Sequence, residues 1–207
     1  MSTTPVVSRA LQAQMDSARE CTDRLFDLLK PEALYSRPIP ERHRLIFYLG
    51  HLEAFDWNQI CRQALDIPSF HAEFDKLFEF GIDPPVGKVA GDAPSDWPHV
   101  EQVRAYNSQV RTIVDDVLDD TPEQILHVAL EHRLMHAETL AYLFHNVPYA
   151  QKIPQRANPA YSTRQTPPRM LAIPSGIATL GRDNSCGLFR RFATHIDCEN
   201  LCFLTSE

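Results

Sequence analysis

The chain has 207 residues, 43% of them hydrophobic and 23% charged, with a formal net charge of -7; this is the make-up of a globular protein and excludes a disordered or fibrous class. The acidic balance argues against broad nucleic-acid binding, and no run reaches the roughly 18 to 20 apolar residues that a transmembrane helix requires. The N-terminal "MSTTPVVSRALQAQMDSAREC" has neither the basic start nor the apolar core of a signal peptide, so a cytoplasmic protein with no nucleic-acid or membrane partner is expected. The cysteines Cys21, Cys61, Cys186, Cys198 and Cys202 form no CxxC pair and no disulfide framework.

Residues 5–29 carry Leu11, Met15, Ala18, Cys21, Leu25 and Leu28 at three- and four-residue intervals, the spacing of a helix with one buried face, and Pro31 ends it. After "SRPIPERHR", residues 41–65 read as a second long helix, with Leu45, Tyr48, Leu52, Phe55, Gln59 and Leu65 around a broad face and Pro40 suited to its first turn. A short amphipathic piece, "HAEFDKLFEF", leads into a proline- and glycine-rich loop over residues 81–96, of a length that inside a compact domain tends to serve function. Residues 97–118, with Val100, Val103, Val110, Ile113, Val114 and Val117, and residues 122–146, opened by Thr121 and Pro122, predict two more helices. Four long helices with no strand pattern among them predict an all-α four-helix bundle over residues 1–150.

Composition then changes. "PYAQKIPQRANPAYSTRQTPPR" reads as a proline-rich linker, placed at residues 151–169. "MLAIPSGIATLGRDN" predicts a strand, a turn through Pro174 to Gly176, and a second strand "IATLG". The remainder, "SCGLFRRFATHIDCENLCFLTSE", shows no strand or helix periodicity. Residues 170–207 are therefore expected to be the incomplete, β-containing start of a second domain, with no evident means of completing a core.

Chemistry concentrates in "EHRLMHAETLAYLFH", residues 131–145, where His132 and His136 stand four apart. On a helix such residues lie roughly 40° apart, so both imidazoles project from one side within reach of a single ion. A third ligand is needed, and the best candidate is His51 in "FYLGHLEAFDW", which shares its stripe with Phe47 and Phe55 and should face the interior; Gly50 beside it permits a close approach. The alternative is that these are core histidines with one hydrogen bond each, or a solvated stripe. His43, His71, His99, His127, His145 and His195 lack such a setting, and His43 and His99, near helix starts, are expected at the surface. Glu138 completes an HxxxHxE string, yet it lies about 200° around the helix from His136 and points away from the imidazole face. It is expected to make a supporting contact, and Glu131 and Glu138 together could anchor Arg42 or Arg44. Three neutral nitrogens leave half an octahedron open, which suits zinc with an activated water or ferrous iron with room for dioxygen and a substrate. No GxSxG is present, and Cys21 and Cys61 sit on helical patterns where burial is expected.

Together, "HRLIFYLGHLEAFDW", "HRLMHAE", "FEFGIDPP" followed by "DWPHVEQVRAYNSQVR", and "MLAIPSGIATLG" resemble the iron-dependent sulfoxide synthases of ergothioneine and ovothiol biosynthesis, with the related selenoneine synthases close by. The resemblance extends to about Asp183. It implies a DinB-like four-helix bundle followed by a domain like the formylglycine-generating enzyme, and it carries the family's iron ligands onto His51, His132 and His136, with Fe(II) as cofactor and zinc or another divalent metal as the alternative. The implied reaction joins a cysteine-type thiol to the imidazole of a histidine derivative with dioxygen, forming a sulfoxide. The resemblance also implies a pocket between two domains, with a catalytic tyrosine from the second; no tyrosine follows Tyr161 here, and Met135 stands where some ergothioneine-type members have glutamine. The tail's change of pattern reads as a shifted frame or truncated gene, so the chain is expected to hold iron without completing the reaction alone, and no catalytic residue is assigned. The rival readings are a freestanding DinB-type metal-dependent thiol transferase and a non-catalytic helical remnant.

Overall fold

A computed structural model describes residues 9–79, 91–155, 169–171 and 203–205. The chain divides into two units, Met1–Gln155 and Arg156–Glu207. In the first, α1 (Arg9–Phe26) buries Leu11, Met15, Ala18 and Phe26, the stripe its spacing predicts. α2 (Leu45–Asp56) is different in kind. Leu45 to Ala54 are buried without a break, and so is Asp56. A helix that shows water no face belongs in the middle of a bundle. It runs on as a π-helix over Trp57–Ala64 and stops at Asp66, whose φ of 53° is a left-handed conformation that aspartate tolerates better than most residues. The short α3 (Ala72–Leu77), then α4 (Val100–Asp116) and α5 (Glu123–His145), complete the unit.

α1 packs mainly along α5, and α2 mainly along α4, with α2 also meeting α5. The chain leaving α1 is sewn to the chain leaving α5 by an antiparallel bridge, Leu29 to Lys152, with Lys30 N donating to Gln151 O at 3.0 Å and Ile153 N to Leu28 O at 2.8 Å. α3 is fastened by one buried carboxylate: Asp75 accepts from Trp57 Nε1 at 2.9 Å, Ser69 Oγ at 2.6 Å and Tyr106 OH at 2.9 Å. No described helix is long and apolar enough to cross a membrane.

Three sequence expectations need correction. α2 begins at Leu45, not at residue 41, and Pro40 lies in a turn outside it. Pro38 and Pro40 lack amide protons and hold the residues before them extended, so the chain becomes helical only once Leu45 N has reached Ser36 O at 3.1 Å. His43 is buried, not superficial, because its ring stacks on Phe47 with centroids 4.0 Å apart. In the second unit, β1 (Arg169–Leu171) pairs antiparallel with β2 (Phe203–Thr205), Met170 opposite Leu204. β2 falls where no periodicity is visible, since three residues are too few to show a period of two. The strand expected at "IATLG" lies outside the described residues, as do Cys186, Cys198, Cys202 and His195.

Gly50 faces the ring of Phe78: a Cβ added there would stand 2.6 Å from three ring carbons. Gly50→Ala is expected to lower stability by about 1–3 kcal/mol through overpacking, read as a lower denaturant midpoint at unchanged slope. A wild-type midpoint would show that Phe78 moves aside at no cost.

Candidate metal centre

The close approach at Gly50 brings the Phe78 carbonyl to His51. Nδ1 of His51 donates to Phe78 O at 2.8 Å, which fixes the tautomer and leaves a lone pair on Nε2. The ring is also held face to face against Phe47, with centroids 4.9 Å apart. His51 is 4% exposed, and its Nε2 looks directly at His132 Nε2, 3.2 Å away. His132 is stacked on Phe55 at 3.5 Å, nearly parallel, and His136 lies beside Tyr48 at 5.8 Å. Each imidazole thus has an aromatic neighbour from α2. One ligand atom from each of His51, His132 and His136 lies within 4.8 Å of the others, the sole such group among the described residues.

This arrangement fits a divalent metal. Two nitrogens each about 2.0–2.1 Å from one ion, at tetrahedral or octahedral angles, stand about 2.9–3.4 Å apart, and the His51–His132 separation of 3.2 Å falls in that range. The rings are also in the right state of charge. Burial, then the neighbouring His136, His51 and Arg133, push His132 down to about 2; burial, then His51, Arg133 and Arg42, push His136 down to about 4. His51 is lowered too, by burial and by His43, against the Phe78 hydrogen bond that raises it. Neutral imidazoles are what a metal binds. The Nδ1 atoms of His132 and His136 are buried and have no hydrogen-bond partner among the described residues, so no bond at Nδ1 orients those rings.

The DinB superfamily matches residues 14–145. The chain belongs to it. DinB-like domains are metal-binding, and the triad could hold the ion. The chain is also similar to ergothioneine biosynthesis protein 1 of Neurospora crassa, 35% identical over 128 residues that cover 56% of this chain and 15% of that protein. Its likeness to ergothioneine biosynthesis protein 1 of Schizosaccharomyces pombe is 30% over 132 residues, 56% of this chain and 17% of that protein. The chain therefore spans less than a fifth of the length of these curated relatives.

The sequence singles out the three histidines that the DinB fold brings together, but not what stands behind them. Glu138 and Glu131 are exposed, and neither makes a hydrogen bond or ion pair among the described residues. Arg44 turns the other way, with Nε on Asp92 Oδ2 at 2.8 Å and Nη1 on Tyr35 O at 2.6 Å. The carboxylates that reach the ligand helices are instead Glu53 and Asp56, inside α2, both meeting Arg133 of α5. Acidic residues two and five places after a histidine on an otherwise apolar helix are the signal that could have found them. Cys61 is buried and its thiol is pushed up to about 12, mainly by burial, which makes it inert; Cys21 is half-buried.

Asp92 organises the approach to this region. Arg37, Arg44 and Trp97 Nε1 all donate to its carboxylate, the last at 2.8 Å, and Trp97 then packs edge-on to Phe47 at 6.2 Å. Partial burial raises the Asp92 carboxyl, but the bonds from Trp97, Arg44 and Arg37 outweigh it and hold the group below its ordinary 3.8. A depressed folded value means that the stabilisation is complete above 3.8 and is lost as pH falls through the folded value. Asp92→Asn is expected to cost about 1–3 kcal/mol at pH 7, and the penalty should shrink in denaturation curves taken toward pH 3. A penalty that holds constant with pH would show that shape, not charge, is what Asp92 contributes.

Proposed function

We propose that this chain is the iron-holding, DinB-like part of a sulfoxide synthase of the ergothioneine type, acting in the cytoplasm on a cysteine-type thiol and a histidine derivative. The observation that carries it is the convergence of three neutral imidazoles from α2 and α5, with His51 Nε2 turned to His132 Nε2 at 3.2 Å and no carboxylate among them. The likeness to proteins named for ergothioneine biosynthesis supports the pathway.

His51, His132 and His136 would hold a ferrous ion, which would supply the activation of dioxygen next to a thiol substrate. The overall change balances: thiol, imidazole C–H and dioxygen give the imidazolyl sulfoxide and one water, with two electrons drawn from C–S bond formation and two from oxidation of the sulfur. The protein's own share is positional. His51 is held in one tautomer by Phe78 O, Phe55 fixes the plane of His132, and burial keeps all three rings neutral. Asp92 and Trp97 hold the chain that borders Phe47.

Full-length protein loaded with Fe(II) without oxygen and passed through a desalting column should retain about one iron per chain. Nitric oxide, as a stand-in for dioxygen, should then give the S = 3/2 resonance of a ferrous centre with an open position. His51→Ala, His132→Ala and His136→Ala should each cut retention on the order of tenfold or more. Folded wild-type protein without iron, or alanine variants that keep it, would sink the reading.

A further inference from the structure

Around the ligands, α5 has almost no apolar hold on the bundle. Its buried apolar residues lie before and after: Ile125, Leu126, Ala129 and Leu130 on one side, Leu140, Leu143 and Phe144 on the other. Between residues 131 and 139 only Arg133 is buried, at 2% exposure, while Leu134 and Met135 are about half exposed. The turn that carries His132 and His136 is therefore held to the core by a guanidinium. That guanidinium grips α2. Nη1 and Nη2 of Arg133 meet Glu53 Oε1 and Oε2 at 3.1 and 2.8 Å, and Nη2 also meets Asp56 Oδ2 at 2.7 Å and the Leu52 carbonyl at 3.2 Å.

We propose that Arg133, with Glu53 and Asp56, is the positioning element of the metal centre: the forked ion pair sets the register and rotation of α5 against α2, and so the convergence of the three imidazoles. This rests on the metal-centre reading above. Arg133 directly follows one ligand, and Glu53 stands two residues after another. On α5, Arg133 and His132 are about 100° apart, and on α2, Glu53 and His51 about 200° apart. The lock and the site thus occupy different faces of the same two helices, joined by rigid backbone. A slide of one helical turn, about 5.4 Å, would still leave apolar surfaces in contact. It would break every bond of the fork, because a bidentate guanidinium–carboxylate pair accepts only one relative placement.

Buried ion pairs are often matched in stability by apolar residues of like size, and this separates placement from mere cohesion. The triple variant Glu53→Met, Asp56→Leu, Arg133→Met leaves no charge of the trio unpaired. It should fold, as read by circular dichroism and a cooperative thermal transition. Its Kd for Co(II), titrated on the full chain, should rise about 10–100-fold, with a changed visible d–d spectrum. Arg133→Lys, which keeps the charge and loses the fork, should also fold and bind Co(II) more weakly. Leu140→Ala, a core truncation on the same helix, should lower the thermal midpoint yet keep the wild-type Kd and spectrum in the folded protein. Wild-type Kd and spectrum in a folded triple variant or in folded Arg133→Lys would overturn the proposal. So would failure of both to fold, since the trio would then serve cohesion of the bundle. Folded wild type that takes up no Co(II) would overturn the metal-centre reading itself.

Discussion

A guanidinium cannot lie in the centre of a helical bundle unless its charge is answered where it lies. Arg133 is answered by Glu53 and Asp56, and the obligation spreads outward from that contact. Glu53, drawn upward by burial, is brought down to about 2 by Arg133 and then Arg111. Arg111 of α4 donates to Glu53 Oε1 at 2.6 Å and reaches on to Asp23 of α1 with two bonds of 2.7 Å. Thr22 of α1 stands 3.4 Å from Arg133 Nη1. All four long helices thus meet in one ionic seam. Asp56 is the weak member: one of its oxygens is buried without a partner, and burial with the neighbouring Glu53 raises its carboxyl despite Arg133.

The seam explains why α2 can be buried on every side. A central helix needs fixed neighbours, and an apolar surface alone fixes them loosely because it is non-directional. Here the directional bonds are on one side, at Glu53 and Asp56, and the ligand is on another, at His51. A third side carries Gly50, where the absence of a side chain lets Phe78 approach and deliver its carbonyl to His51. Phe78 in turn is placed by α3, which Asp75 fastens to Trp57 and Tyr106. The imidazole on α2 is thereby oriented by a chain of contacts that begins at the Asp75 carboxylate.

The helices of the first unit were legible because each long one except α2 has a wet face, and the three-four spacing of Leu11, Met15 and Ala18 or of Val100, Val103 and Val110 records it. α2 is legible as a helix but not at its start, since Pro40 offers the same signal at a helix start as in a turn. The histidines were legible because fourfold spacing on one helix is a geometric statement that survives without tertiary knowledge. His43 was misplaced for the opposite reason: its burial depends on Phe47 stacking against it. Arg133 and Glu53 were overlooked because a charged residue on a helix is by default read as solvent-facing, and only the surrounding helices show that it points inward. Glu138, with its motif position, drew the attention that the structure gives to Glu53.

The same burial governs how the site competes for protons and metals. Burial, with His51, Arg133 and Arg42, holds the His136 imidazole well below the ordinary histidine range, so at pH 7 it is neutral and a metal arriving there has no second proton to displace. Lower basicity weakens each metal–nitrogen bond somewhat, but three ligands already within 4.8 Å of one another remove the larger cost of gathering them. The cost has been met in folding, where three polar rings are desolvated and two of them keep a buried Nδ1 without a partner among the described residues. A bundle seeking stability alone would place leucines there. Rings kept neutral, close and packed against Phe47, Phe55 and Tyr48 make physical sense as a site prepared for an ion, and a directional seam on another face of the same helices keeps that preparation from relaxing.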